Sequence, residues 1–90
     1  MLADQGVEPV RLLLRDNPRD ATALNFNGYL LYKRGRLEDA IGSYRKLVSL
    51  EPGVPDHQLN LGLICFKAQR YPEAQAAFER LALDVFQHQH

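Results

Sequence analysis

The sequence predicts an all-α chain of five helices stacked as a repeat array, and three observations carry that prediction. Gly28 and Gly62 lie 34 residues apart, and the same interval joins Ala40 to Ala74, Tyr44 to Phe78, Leu47 to Leu81, Leu31 to Cys65, Lys33 to Lys67 and Arg36 to Arg70. A register that sets small opposite small and large opposite large marks an internal repeat. Apolar residues recur at helical spacing, as Ala40, Tyr44, Leu47 and Val48 and again as Ala74, Phe78, Leu81 and Ala82, and no segment alternates with period two. Turn signals fall at regular intervals: Asp16-Asn17-Pro18, Arg34-Gly35-Arg36, Glu51-Pro52-Gly53-Val54-Pro55 and Arg70-Tyr71-Pro72.

These signals place helices at about 7–16, 21–34, 37–50, 56–69 and 72–86. Pro9 removes a donor from the first helix, which is therefore expected to begin near Glu8 or Pro9. Asp20 suits the N-cap of the second. Glu38 and Asp39 fall in the first turn of the third, where carboxylates meet the positive end of the dipole. The fourth follows the Pro-rich turn and carries His57 at its start, read as a surface residue. Pro72 suits the first position of the fifth, where its missing N–H costs nothing. Connections this short make consecutive helices antiparallel. Gly28 and Gly62 sit mid-helix, where glycine costs about 1 kcal/mol relative to alanine. Accepting that cost twice at one phase points to close approach of a neighbour, and the expected partners are the small residues Ala40 and Ala74.

Composition narrows the function classes. Ninety residues make at most one small domain. Apolar residues at 46% and charged residues at 24% describe a globular chain rather than a disordered one. Eleven basic residues balance eleven acidic ones, so no net field draws in nucleic acid or an anionic membrane. Arg11, Arg15 and Arg19 form a ridge at intervals of four, but Glu8, Asp16 and Asp20 offset it, and no aromatic residues interleave as in a single-strand binder. The start Met1-Leu2-Ala3-Asp4 lacks a basic region followed by an apolar stretch, so no signal peptide is expected. No apolar run approaches the ~20 residues of a membrane span. A single cysteine excludes an internal disulfide framework and accords with a reducing, cytoplasmic setting.

The residues at these phases resemble a tetratricopeptide repeat array. The stretch 21–54 supplies Leu24, Gly28, Leu31, Ala40, Tyr44, Leu47 and Pro52, and the stretch 55–88 supplies Leu61, Gly62, Cys65, Ala74, Phe78 and Leu81. Residues 1–20 align as the second half of an earlier unit, with Val7, Val10, Leu13 and Pro18 matching Ile41, Tyr44, Leu47 and Pro52. The resemblance implies one domain over 1–90, a right-handed superhelix of antiparallel helix pairs with about two and a half units. Gly28, Ala40, Tyr44, Pro52, Gly62, Ala74 and Phe78 are its signature positions. Three residues depart from the pattern. Asn27 stands where leucine is expected and Gln58 where a large apolar residue is, which predicts looser packing. Phe86 replaces the closing proline, so the last helix is expected to run past Leu83.

In this family the first helix of each unit lines a concave groove that receives a peptide or helix. A groove face offset by one residue, about 100°, from the packing face gives Asn25, Tyr29 and Tyr32 with Lys33 beside them. The second unit gives Leu59, Leu63, Phe66 and Lys67. Apolar side chains of a partner would meet this floor and a carboxylate would meet the lysines. The alternative is that Tyr29, Tyr32, Leu63 and Phe66 merely pack between successive units. A carboxylate clamp of the type that holds heat-shock chaperone tails needs a Lys and an Asn one turn apart in its first unit. Asn60 matches the clamp's second-unit Asn, but Asn25 and Tyr29 occupy the first pair, which argues against it.

No catalytic, cofactor or metal site emerges. Cys65 has the phase of Leu31 and no neighbouring base, which predicts a buried, inert thiol. His88 and His90 are two apart, wrong for one helical face, and lack a third ligand. Gly28 and Gly62 are isolated and helical, not a phosphate-cradling loop. Two function classes remain. One is a non-enzymatic adaptor or scaffold that binds a protein or peptide in its groove. The other is an assembly element that forms a homo-oligomer or docks end to end, through Leu83, Val85 and Phe86 at one end and Leu12, Leu13 and Leu14 at the other.

Overall fold

The computed structural model describes residues 7–88. Its elements are α1 (Val7–Asp16), α2 (Ala21–Lys33), α3 (Leu37–Leu50), α4 (Pro55–Lys67) and α5 (Tyr71–His88), and the described residues include no strand. The chain is an all-α repeat array. Each helix packs mainly on its neighbours in sequence, most closely α2 on α3 and α4 on α5. Extents of 46 × 27 × 16 Å give a slab longer than any one helix, as serial stacking requires.

Local chemistry sets the helix ends. Pro9 lies in the first turn of α1, where its missing N–H takes no partner from the ladder. The Asp20 carboxylate accepts the Ala23 N–H at 2.9 Å and caps α2. Gly35 follows the C-cap of α2 and its φ of +77° suits glycine, with Gly35 N–H donating to Tyr32 O and Arg36 N–H to Leu31 O. The turn after α4 repeats that geometry 34 residues on. Gln69 takes the left-handed conformation at φ +63°, with its N–H donating to Phe66 O and Arg70 N–H to Cys65 O. That conformation is why α4 stops at Lys67 rather than reaching residue 69. Pro55 begins α4, and α5 starts one residue before Pro72 and continues to His88, past Leu83 as the loss of the closing proline implies.

The core is one cluster built from Leu24, Ala40, Ile41, Tyr44, Leu47, Leu61, Ile64, Cys65, Ala74 and Ala77. Four expectations need correction or refinement here. The close neighbours of the helical glycines are the aromatic rings, not Ala40 and Ala74. A Cβ at Gly28 would stand 2.7 Å from Tyr44 Cε2, and one at Gly62 would stand 2.6 Å from Phe78 Cε1. His57 is buried, and its Nε2 lies 2.9 Å from Glu51 Oε1 across the α3–α4 turn. Gln58 is buried as well, so an amide fills the place of the expected apolar side chain. At Asn27 the packing is indeed open. Asn27 Nδ2 donates to Ser43 Oγ at 3.4 Å, Ser43 Oγ donates to Leu24 O at 3.1 Å, and a cleft of about 440 Å³ opens between α1, α2 and α3.

Ion pairs fasten one helix pair to the next on the outer surface. Arg70 pairs with Glu38, and Arg45 Nε donates to Glu73 Oε2 at 2.7 Å, so α3 is tied to the start of α5 at two points. Arg70 and Glu73 are themselves 3.6 Å apart, which joins the two pairs into one network.

Candidate functional site

α2 and α4 flank a groove. Its most enclosed part is a depression of about 240 Å³ lined by Tyr29 and Tyr32 from α2, and by Asn60, Leu63, Ile64 and Lys67 from α4, with Tyr44 of α3 beneath. A second, more open depression of about 440 Å³ continues from it past Tyr29 and Asn60 to Thr22, Asn25 and Phe26. Three shared residues, Tyr29, Tyr44 and Asn60, make the two continuous.

Helix phase explains the lining. Leu24 and Gly28 face the core, so Asn25 and Tyr29, one residue on, turn out of it. Tyr29 is 48% exposed, Leu63 45% and Phe66 57%, which leaves large apolar area in water, while Tyr32 is half-buried. Tyr44 plays two parts. Its ring fills the space left by Gly28, and its hydroxyl donates to the Asn25 carbonyl at 3.4 Å, which holds the groove floor to the wall. Burial raises the Tyr44 phenol above its ordinary range, so it remains a donor.

Two ammonium groups rim the end where α2 and α4 finish. Lys33 Nζ lies 5.8 Å from the Tyr29 ring centroid, and Lys67 Nζ lies 5.2 Å from that of Tyr32, across the groove on the neighbouring helix. The Lys67 ammonium beside the Tyr32 phenol, ahead of the Lys33 charge, holds that phenol below its usual range.

Of the eight residues the sequence singles out, Asn25, Tyr29, Tyr32, Leu63 and Lys67 come together around these depressions. Lys33 is exposed at the rim over Tyr29. Leu59 and Phe66 hold in α4 the register positions of Asn25 and Tyr32, are exposed, and lie outside both depressions. Phe66 instead meets Tyr71 edge to face, with ring centroids 5.4 Å apart. The one-residue offset missed Thr22 and Phe26, which stand seven and three residues before Tyr29 and share its side of α2.

The remaining candidates are quickly placed. Cys65 is fully buried, and burial, ahead of the nearby Glu73 charge, pushes its thiol upward. No three His, Cys, Asp or Glu side chains cluster for a metal among the described residues, and His90 lies outside them. Arg15 lies 3.7 Å from Asp16 on an exposed helix face, in keeping with a solvated ridge. Leu12, Leu13, Leu83, Val85 and Phe86 are exposed at the two ends, but Leu14 is half-buried and packs on the core, so it is not part of an end surface. Among the described residues no helix is long and apolar enough to cross a membrane.

The tetratricopeptide repeat family model matches residues 10–55 and again residues 28–85. No curated protein matches the sequence.

Proposed function

Since the chain belongs to the tetratricopeptide repeat family, whose members are generally protein–protein interaction modules, we propose that it is a non-catalytic adaptor or scaffold that receives a peptide or helix of a partner in the groove between α2 and α4. We take it as one module, with 1–20 a half unit and 21–54 and 55–88 whole units, acting in the cytoplasm, where the buried Cys65 stays a thiol. The observation that carries the reading is the exposure of Tyr29, Leu63 and Phe66 beside an aromatic-lined depression. Exposed aromatic side chains next to a pocket are the usual anchors of a binding surface. Residues that served only to pack one unit on the next would be closed off, as Ile41 and Leu47 are.

The test is affinity capture with the wild type against a Tyr29→Ala, Phe66→Ala double variant, alongside thermal melts of both. Partners retained by the wild type and lost by the variant, at an unchanged melting temperature, support the groove. An identical captured set from both proteins refutes it.

A further inference from the structure

We infer that the cleft between α1, α2 and α3 is a second binding site, and that it takes an extended peptide segment with an aliphatic residue and, two positions away, an acidic side chain. The site goes beyond the groove reading and does not rest on it. Asn27 and Leu31, which line the cleft, stand two residues from Asn25 and Tyr29 of the groove, about 200° around α2. The two sites therefore open on opposite faces of one helix.

Three positions in the wall of this cleft break the 34-residue repeat. Asn27 and Ser43 correspond to Leu61 and Ala77, both buried in the core one unit on. In their place an amide donates to a hydroxyl, and the hydroxyl donates to Leu24 O. That arrangement takes one N–H of Asn27. Its second N–H and its Oδ1 find no partner among the described residues. One planar amide thus keeps a donor and an acceptor, the complement of a peptide N–H and C=O.

Gly42 is the third position, and its register mate is Ala76. Glycine in a helix interior is less favourable than alanine. At Gly28 and Gly62 an aromatic ring accounts for it, but a Cβ at Gly42 would meet nothing within 4 Å. Packing within the chain does not call for this glycine. A bare stretch of helix at the wall of a cleft lets a ligand approach the backbone closely.

Charge and spacing specify the occupant. Lys46 stands one turn past Gly42 on the same face of α3. Its register mate Arg80 lies 3.3 Å from Asp84, four residues on, whereas Leu50 holds that position after Lys46. Lys46 engages no carboxylate among the described residues. A smaller depression of about 220 Å³ continues the cleft through Pro18 and Lys46 and adds Arg19 and Ser49. At the other end Asp39 is already paired with Arg36 at 2.7 Å, so the uncompensated charge is positive and lies beside Lys46. Gly42 and Lys46 are separated by about 6 Å along α3. Two residues of extended chain cover about 6.6 Å and present both side chains on one face. An aliphatic side chain among Leu14, Leu24 and Leu31 therefore sets an acidic one, two positions away, beside Lys46 and Arg19.

The experiment uses the full chain, isotopically labelled, and acetylated, amidated pentapeptides followed by amide chemical shifts. Ala-Leu-Ala-Glu-Ala and its reverse cover both chain directions, and a Gln twin of each removes the charge. At least one Glu peptide is expected to shift Asn27, Gly42, Ser43 and Lys46 and to bind about two- to fivefold more tightly than its Gln twin at low salt. Lys46→Gln removes that advantage. Gly42→Ala and Asn27→Leu each restore the residue type of the other unit, so they are expected to raise the melting temperature while weakening the binding of every peptide. A residue serving structure alone would not link gain of stability to loss of binding. The Tyr29→Ala, Phe66→Ala variant keeps the shifts, which separates the cleft from the groove. Shifts confined to Tyr29, Tyr32 and Leu63 overturn the inference and support the groove. Equal binding of Glu and Gln peptides, unchanged binding by Gly42→Ala, or no shifts at millimolar peptide overturn it and leave the groove reading to the capture experiment.

Discussion

The ring of Tyr44 occupies the space that a side chain on Gly28 would need, with its Cε2 at 2.7 Å from the position of a Cβ there. Glycine in a helix interior gives up about 1 kcal/mol relative to alanine, so helix propensity alone favours Gly28→Ala. Overpacking opposes it at about 1–3 kcal/mol, and Tyr44 is too enclosed to step aside. Gly28→Ala is expected to lower stability by up to about 2 kcal/mol in denaturant melts. Combining it with Tyr44→Leu removes the clash, so the two changes couple favourably in a double-mutant cycle. Gly62→Ala meets Phe78, which is only half-buried and can yield, so its cost is the smaller of the two.

Gln69 supplies the opposite case, a side chain where glycine belongs. It adopts φ +63° at the turn that Gly35 makes with φ +77° one unit earlier. A non-glycine residue in this region carries a penalty of about 1–2 kcal/mol. Part of the relief is lost to the greater freedom of glycine in the unfolded chain. Gln69→Gly is therefore expected to raise stability by about 0.5–1 kcal/mol, and Gly35→Ala to lower it by a similar or larger amount. Thermal melts that show Gln69→Gly as destabilising would refute the account.

The turn at Gln69 also shows what the sequence could and could not reveal. Register places Gln69 opposite Gly35, but its residue type conceals the left-handed turn, and the expected helix ran on through residue 69. Helix positions and the core phase were legible because a 3.6-residue period and a 34-residue repeat constrain each other. Side-chain partners were not. Ala40 and Ala74 are as small as the glycines, yet the rings of Tyr44 and Phe78 fill the gaps, because a ring reaches a full turn along its neighbour. Exposure was not fully legible either. Ile41 lies in the core and its register mate Gln75 on the surface. In the groove, the one-residue offset found Asn25, Tyr29 and Tyr32. It did not find that Lys67 crosses to Tyr32, since a contact between helices depends on their separation as well as their phase.

The Glu38–Arg70 pair links units and titrates. The Arg70 guanidinium beside Glu38 holds that carboxyl below its ordinary value, and the same contact raises Arg70. A carboxyl depressed in the folded state contributes stability that is present above its unfolded pKa and is lost as pH falls through the folded value. Arg70 stays protonated throughout, so the window is set by Glu38 and lies on the acid side. Glu38→Gln is expected to be less stable than the wild type at neutral pH and low salt. The difference should close as pH drops below the ordinary carboxylate range, and it should shrink at neutral pH in high salt because both groups are exposed. A difference that persists unchanged at low pH would show that the pair acts through packing rather than charge.

Cys65 offers a readout of the core that α2, α3, α4 and α5 build together. Its side chain is fully buried, and its thiol is raised above its usual range mainly by that burial. The thiolate is the reacting form, so both effects suppress modification in the native state. A thiol reagent at neutral pH is expected to leave the folded protein unlabelled and to react at a rate that follows the fraction unfolded as denaturant is added. Replacing the sulfur discriminates burial from function. Cys65→Ala leaves a small cavity, whereas Cys65→Ser places a hydroxyl in an apolar site and is expected to cost about 1–3 kcal/mol if it finds no partner. The serine variant should therefore be the less stable of the two, with groove binding preserved in both wherever they remain folded. Rapid labelling of the native protein would mean that this core opens well below the global unfolding transition, and it would then be a looser structure than its complete burial of Cys65 and Leu47 implies.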